Sequence, residues 1–129
     1  MITEQQLREN LQRIVDALNA KDWGALDRVV GELFAADYVC YLNGTRDPVR
    51  GPEGWKQGIR GMVESTPGYR ATIEDLLVAG DKAAVRLVVR RTDPATGKAQ
   101  RFTSIMINHL KGGQFAQDWQ LVGPWEDEA

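Results

Sequence analysis

The sequence predicts an α+β fold, in which three amino-terminal helices pack on one face of a mostly antiparallel sheet. Helical apolar periodicity dominates the first half of the chain, and strand patterns joined by hairpin turns dominate the second half. Segregated helices and strands are typical of this class. Arg86 and Arg90 alternate with apolar residues, which indicates that the second face of the sheet meets water or another subunit.

Three helices are predicted from their caps and apolar stripes. Thr3 and Gln6 have the spacing of a capping box, so the first helix is expected over about residues 3–19. Asp22 suits the cap of a second helix, and Pro52 suits the first turn of a third. The apolar stripes consist of Leu7, Leu11, Ile14, Val15 and Leu18, then Leu26, Val29, Val30, Leu33 and Phe34, then Trp55, Ile59, Met62 and Val63.

Five strands are predicted from β-branched and aromatic runs. One follows the second helix, and "STPG" then separates the third helix from four more. The four are expected to form consecutive hairpins, because "AGDK", "DPATGK" and "KGGQ" are typical turn sequences. The five runs are "DYVCYLN", "YRATIEDLLVAG", "KAAVRLVVRRT", "AQRFTSIMINHL" and "QFAQDWQLVG".

Composition limits the classes of function. The 129 residues suit one domain, 1–129, and its last four residues, 126–129, are expected to form a loose acidic tail. The net charge of -2 argues against nucleic-acid binding, and neither a secretory signal nor a membrane-spanning run is recognisable. Cys40 is the only cysteine, which favours a reducing cytoplasm. With one histidine, His109, and no glycine-rich phosphate loop, any chemistry is expected to need neither metal nor cofactor.

Several segments resemble a known family along about residues 7–122. These segments are "FAADYVCYLNG", "GPEGWKQGI", "ATIEDLLVAGDKAAVRLVVR" and "RFTSIMINHLKGGQFAQDWQLV". They are similar, in content and order, to the SnoaL-like polyketide cyclases of the nuclear transport factor 2-like superfamily, which includes ketosteroid isomerases and limonene epoxide hydrolases. The resemblance implies a cone-shaped α+β barrel, in which a strongly curved sheet surrounds a helix and leaves an apolar pocket at the open end.

The resemblance also implies acid/base chemistry by a pocket carboxylate, without a cofactor. A buried carboxyl is desolvated, so its pKa rises toward neutral pH and it can exchange a proton with a substrate. Asp118 is the candidate acid/base here. The chain departs from the family at three positions, because many members have histidine at position 118, an acidic residue at position 106 and histidine near position 41.

Strand alternation divides "QFAQDWQLV" between two faces. Phe115, Gln117, Trp119 and Leu121 are predicted to share one face, and Ala116, Asp118, Gln120 and Val122 the other. The resemblance implies that the second set faces the pocket, while Trp119 lies on the outer face. The alternative is that Asp118 is a surface charge paired with Arg86 or Arg101.

Other residues are assigned to the site with Asp118. Tyr41 and Asn43 are expected to polarise a substrate carbonyl, although Tyr41 packed in the core is an alternative. Trp55, Met62 and Met106 are expected to shape the cavity, and Gln120 and His109 to contact the substrate. For His109 the alternative is a surface histidine.

The leading hypothesis is a cofactor-independent cyclase, isomerase or hydrolase that acts on an apolar cyclic or polyketide-like molecule. The alternative is a non-catalytic ligand-binding or dimerisation module of the same fold. The expected partners are that small molecule and a second copy of the chain, bound through the outer sheet face, with no nucleic acid and no membrane. Trp119 is expected at the dimer contact, and Trp125 either there or over the cone mouth.

Overall fold

The helices begin at the caps that the sequence predicts. The structure is a computed structural model that describes residues 1–128. Thr3 Oγ1 accepts a hydrogen bond from the Gln6 amide at 3.1 Å, and Gln6 Oε1 accepts one from the Thr3 amide at 2.9 Å, which completes the capping box. Asp22 Oδ1 caps the second helix at the Ala25 amide. The three helices are α1 Glu4–Ala20, α2 Trp23–Leu33 and α3 Gly51–Glu64.

Within the described residues, seven strands form one curved sheet that is mostly antiparallel. The predicted hairpins β3–β4, β4–β5 and β5–β6 are confirmed, and β1 pairs in parallel with β6. Six strands follow the order β2-β1-β6-β5-β4-β3, and β7 pairs with β5. Their bounds are β1 Phe34–Leu42, β2 Val49–Arg50, β3 Arg70–Ala79, β4 Lys82–Thr92, β5 Ala99–Lys111, β6 Gln114–Val122 and β7 Glu126–Asp127.

The concave face of the sheet holds the core against α1. Apolar side chains of this helix are buried there, which confirms the predicted stripe. Asn19 fixes the end of α1 to β3, since its side chain donates to the Ala71 carbonyl at 2.9 Å and accepts from the Ala71 amide at 2.8 Å. The predicted α+β cone is therefore confirmed, with one long helix inside the curve of the sheet.

The convex face, here called the outer face, carries solvent-exposed charged side chains at one side and apolar side chains in the middle. Arg86 is partly exposed and its guanidinium pairs with Asp75 at 2.7 Å, so the alternating arginine pattern did mark a solvated face. Ile105, Ile107, Trp119 and Leu121 are exposed side by side on β5 and β6. Large apolar side chains at such positions are unusual unless another surface covers them.

The predicted alternation of side chains along β6 is wrong at its start. His109 pairs with Gln117 but Leu110 pairs with Phe115, so Ala116 is an extra residue in β6. This bulge reverses the alternation, and Phe115 is therefore buried on the concave face together with Asp118, not on the face of Trp119.

The carboxyl-terminal segment is not a loose tail up to residue 128. Glu126 and Asp127 pair with β5, and the Glu128 amide donates to the Ala99 carbonyl at 2.9 Å. The Glu128 carboxylate also lies 3.1 Å from the Arg90 guanidinium. The free edge at the start of β5 provides the backbone partners for this segment. Ala129, the end of the predicted tail, lies outside the described residues.

Among residues 1–128, no helix combines the length and the apolar character that crossing a membrane would require.

Candidate functional site

Two adjoining chambers open between the helices and the concave face. The inner chamber has a volume of about 90 Å³ and lies among α1, α3 and the sheet. The outer chamber has a volume of about 370 Å³ and leads from it toward the ends of β1 and β6. Both are lined mainly by apolar side chains, and they share Trp55, Ile59, Met62, Phe102 and Gln120. The two chambers are therefore neighbours along the same wall.

Asp118 lies in the wall of the inner chamber and is 7% exposed. Its Oδ2 accepts a hydrogen bond from the Tyr38 hydroxyl at 2.5 Å, and its Oδ1 accepts one from Asn108 Nδ2 at 2.5 Å. The sheet register brings these groups together, because Asn108 is directly opposite Asp118 on β5, and β1 lies on its other side. The alternative of a surface ion pair with Arg86 or Arg101 is wrong, since the carboxylate is buried.

The Asp118 carboxyl is poised between its two protonation states near neutral pH. Burial raises the pKa of Asp118 to about 6, although the hydrogen bonds from Asn108 and Tyr38 and the nearby His109 act in the opposite direction. The pKa of Tyr38 is raised by its own burial and by the Asp118 charge, so its hydroxyl stays protonated and remains a donor. A carboxylate of this kind can take up and release a proton at physiological pH.

Asn108 is an almost fully buried polar side chain beside the carboxylate, with 1% exposure. Its Nδ2 is committed to Asp118, while its Oδ1 is buried without a hydrogen-bond partner among the described residues. An unpaired buried acceptor costs about 1–3 kcal/mol. The position of Asn108 therefore lowers the stability of the fold. Such locally unfavourable features are common at functional sites.

A second polar pair lies further along the same wall. Gln120 Nε2 donates a hydrogen bond to Ser104 Oγ at 2.7 Å, and Ser104 is 1% exposed. Gln120 lines both chambers, where the sequence analysis placed it. The pair gives the inner chamber polar groups beyond Asp118 that could orient a ligand oxygen.

The apolar wall contains the three residues assigned to shape the cavity. Trp55, Met62 and Met106 all line the inner chamber. Trp55 packs on Phe34, with ring centroids 4.9 Å apart, so its position is fixed from the core side. Trp125 lines the outer chamber, packs edge-on against Phe102 and lies beneath the Arg91 guanidinium, which places it at the cone mouth.

The prediction that Tyr41 lies in the pocket is wrong. Cys40 is the β1 neighbour of Asp118, so the next residue, Tyr41, points to the outer face. There its ring stacks on Trp119, with centroids 5.5 Å apart and planes at 16°. The alternative of a core tyrosine is wrong for Tyr41 as well, because the buried tyrosine of this strand is Tyr38.

His109 and Asn43 are also separated from Asp118. His109 lies on the outer face against Trp119, with ring centroids 4.6 Å apart, so its assignment to substrate contact is wrong. Asn43 lies at the rim of the outer chamber and has a positive φ of 53°. Its Oδ1 accepts a hydrogen bond from the Val122 amide at 2.8 Å, so it holds the turn after β1 against β6 and does not share the inner chamber with Asp118.

Tyr38, Asn108 and Ser104 were missed by the sequence analysis. Alternation along β5 already places Ser104 and Asn108 on the same face as Phe102 and Leu110, which is a detectable signal of buried polar groups. Tyr38 had no comparable signal, since its contact with Asp118 depends on the long-range pairing of β1 with β6. Residues 1–128 contain no cluster of three or more histidine, cysteine or acidic side chains suited to a metal ion.

Comparison with known proteins gives a family and a set of similar structures. The family model of the SnoaL-like domain matches residues 11–117. No curated protein matches the sequence. The crystal structure of IdmH, a proposed polyketide cyclase from Streptomyces antibioticus, is 26% identical, with a TM-score of 0.72 and 91% of each chain covered.

Two further crystal structures share the fold at lower identity. A proposed SnoaL-like polyketide cyclase from Jannaschia sp. CCS1 is 18% identical, with a TM-score of 0.76, and the match covers 92% of this chain and 86% of that one. A proposed ketosteroid isomerase from Kribbella flavida is 18% identical, with a TM-score of 0.70, and the match covers 98% and 84%.

Proposed function

Because the chain belongs to the SnoaL-like domain family, we propose that it is a cofactor-independent acid/base enzyme acting on an apolar cyclic or polyketide-like molecule. The observation that carries the proposal is a single buried carboxylate, Asp118, in the wall of a mainly apolar cavity. Burial raises its pKa to about 6, within the range in which a carboxylate can serve as a general base at neutral pH.

The proposed step is proton abstraction from a carbon next to a carbonyl. Asp118 takes the proton, the C–H electron pair forms a carbon–carbon double bond, and the carbonyl π electrons move onto oxygen to give an enolate. Tyr38 and Asn108 hold the carboxylate so that its position does not change as it gains the proton. Return of the proton to another atom gives isomerisation, and attack of the enolate carbon on a second carbonyl gives cyclisation.

The substrate class is supported by the walls of the two chambers. Trp55, Met62 and Phe102 offer apolar contacts in both of them, and polar groups are few. A mainly hydrocarbon ring system with isolated oxygen functions matches this distribution. IdmH, at 26% identity, is described as a proposed polyketide cyclase, which agrees with the same class.

Hydrogen–deuterium exchange into a simple ketone tests the proposal without the natural substrate. 2-Tetralone is a bicyclic ketone with acidic protons beside its carbonyl, and exchange in D2O is measured by proton NMR. The wild type is expected to accelerate exchange, and Asp118→Asn to lower this acceleration by about 100-fold or more. Asp75→Asn, which changes a surface carboxylate paired with Arg86, is the matched control and should exchange at the wild-type rate.

A non-catalytic ligand-binding module is the second candidate. It is favoured by one observation, since both oxygens of Asp118 already accept hydrogen bonds from buried side chains, as they would in a purely structural network. In the same experiment this candidate predicts saturable binding of 2-tetralone, with equal and uncatalysed exchange in the wild type and Asp118→Asn.

We also propose that two copies pair through the outer face. Ile105 lies opposite Leu121 and Ile107 opposite Trp119, so four exposed apolar side chains form one continuous patch. Burying this patch against an identical one would remove it from water on both copies. Cytoplasmic location stays a prediction from the single cysteine.

A further inference from the structure

A second polar side chain, Gln120, lies in the same wall as Asp118, where the two chambers meet. Gln120 lines both chambers and follows Asp118 by two residues on β6. The strand pairing is regular between the two positions, since Asn108 pairs with Asp118 and Met106 with Gln120. Two residues of a β-strand span about 7 Å, and their side chains leave from the same face. The wall therefore offers a carboxylate and an amide at a fixed separation.

The hydrogen bond to Ser104 gives the direction of the Gln120 side chain. Ser104 pairs with Val122, which lies beyond Gln120 on the side away from Asp118. Because Gln120 Nε2 donates to Ser104 Oγ at 2.7 Å, the amide is turned away from the carboxylate and toward the outer chamber, which Val122 also lines. Ser104 is 1% exposed, so the amide is held by a partner that is itself fixed in the sheet.

The Gln120 amide keeps hydrogen-bonding capacity for a ligand. A glutamine amide has two N–H donors and one carbonyl oxygen, and Gln120 makes one side-chain hydrogen bond among the described residues. The other amide and hydroxyl side chains of the outer chamber are bound to the backbone. Asn43 Oδ1 accepts from the Val122 amide at 2.8 Å, and Thr66 Oγ1 donates to the Met62 carbonyl at 2.6 Å.

We propose that Gln120 binds a hydroxyl group of the ligand at the junction of the two chambers, while the carbon that loses its proton lies beside Asp118. Gln120 Oε1 accepts the hydroxyl proton, and Ser104 is the positioning residue that orients the amide. The inference rests on the proposed function and narrows the substrate class to hydroxyketones. Their hydroxyl lies roughly 7 Å from the reacting carbon, which is the separation of the two positions on β6.

The amide distinguishes a hydroxyl from groups of similar size. A site that hydrogen-bonds a hydroxyl discriminates against the analogue that lacks it, because the polar group of the protein is then left without its partner. A methoxy group has the same oxygen but no proton, so it has nothing to donate to Gln120 Oε1. The expected discrimination for one neutral hydrogen bond is about 3- to 10-fold in affinity.

Three ligands that differ at one ring position test the inference. They are 2-tetralone, 6-hydroxy-2-tetralone, whose hydroxyl lies on the aromatic ring away from the carbonyl, and 6-methoxy-2-tetralone. Isothermal titration calorimetry measures the Kd of each one. Wild type is expected to bind the hydroxyl compound about 3- to 10-fold more tightly than either of the others. Gln120→Leu should bind all three with about equal affinity.

Two further variants complete the design. Gln117→Leu makes the same change at an exposed position of β6 and is the matched control, so it should keep the preference of wild type. Gln120→Glu keeps an acceptor oxygen and should still prefer the hydroxyl compound to the methoxy compound. If Gln120→Leu binds none of the three ligands, its cavity is lost, and wild type with Gln120→Glu decides. Equal affinity of wild type for the three ligands, or an unchanged preference in Gln120→Leu, would overturn the inference.

The two hypotheses fail in different ways. If exchange falls in Asp118→Asn but wild type binds the three ligands equally, the role of Gln120 is removed and the proposed function stays intact. If wild type catalyses no exchange, the proposed function is removed. Calorimetry needs no catalysis, so the hydroxyl preference and its loss in Gln120→Leu still decide whether Gln120 binds the ligand.

Discussion

The two faces of β5 and β6 each carry side chains that are unusual for their position. The concave face buries Asp118, Asn108 and Ser104, whereas the outer face exposes Ile107 and Trp119. Proteins normally bury apolar side chains and expose charged ones. Polar groups inside a mainly apolar cavity indicate a site for chemistry or binding, and apolar groups outside indicate a surface for a partner. Because successive side chains of a strand point to opposite faces, a shift of one residue in the strand register would exchange the two sets of side chains.

The largest expected effect tests the concave face through the pH dependence of stability. The pKa of Asp118 rises from 3.8 to about 6 on folding, so the folded protein binds this proton more tightly than the unfolded chain does. The resulting stabilisation is fully present below about pH 4 and is lost as the pH rises through about 6. Relative to Asp118→Asn, wild type should lose about 3 kcal/mol of unfolding free energy over that range.

Urea unfolding of both proteins at pH 4 and at pH 7 measures this difference. Asp75→Asn controls for the loss of a carboxylate in general, because Asp75 is exposed and its stability difference from wild type should change little. A difference between wild type and Asp118→Asn that is the same at both pH values would show that Asp118 is not desolvated.

The second prediction makes one chemical change on each face. Tyr38→Phe removes a donor from a buried carboxylate and should lower the unfolding free energy by about 1–3 kcal/mol at pH 7. Tyr41→Phe removes a hydroxyl from the outer face and should change it by less than about 0.5 kcal/mol. Chemical denaturation measures both. Equal effects of the two substitutions would contradict the contrast between the faces.

A third prediction concerns the balance of hydrogen bonds at Asp118. Asn108→Leu removes a donor that favours the charged carboxylate, so the pKa of Asp118 should rise above about 6. The rise should appear as a shift of the pH–rate profile for 2-tetralone exchange toward higher pH. Gln120→Leu, which removes a donor to Ser104 and none to Asp118, is the control. A profile displaced to lower pH in Asn108→Leu would contradict the assigned role of the amide.

The smallest expected effect on stability tests the outer face. Ile107→Lys places a charge in the middle of the apolar patch, so it should convert a dimer into monomers in sedimentation analysis. Because position 107 is already 41% exposed in a single chain, the monomer should lose no more than about 0.5 kcal/mol. Gln57→Lys on α3 adds the same charge elsewhere. A wild type that sediments as a monomer would contradict the dimer proposal.

Local signals made most of the fold predictable. The capping box at Thr3 and the turn sequences between the last four strands depend on neighbouring residues, and the structure has them where the sequence predicts them. The parallel pairing of β1 with β6 joins segments about 80 residues apart and leaves no local pattern. Tyr38 was therefore missed, and Tyr41 was chosen in its place.

The site was predictable where alternation continues without interruption. Alternation placed Asp118 and Gln120 on one face of β6, and the family resemblance implied that this face lines the pocket, where the structure has both residues. The bulge at Ala116 breaks the alternation, so Phe115 was assigned to the wrong face. A bulge of one residue depends on how two strands pair, which the sequence of one strand does not encode.

The central claim is that burial raises the pKa of the Asp118 carboxyl toward neutral pH. A carbon-13 NMR titration of that carboxyl tests this claim most directly. Spectra of wild type and Asp118→Asn identify the resonance, which is then followed from pH 3 to pH 8. The structure predicts a midpoint at about 6. A midpoint near 4, the ordinary value for a solvated aspartate, would contradict the claim.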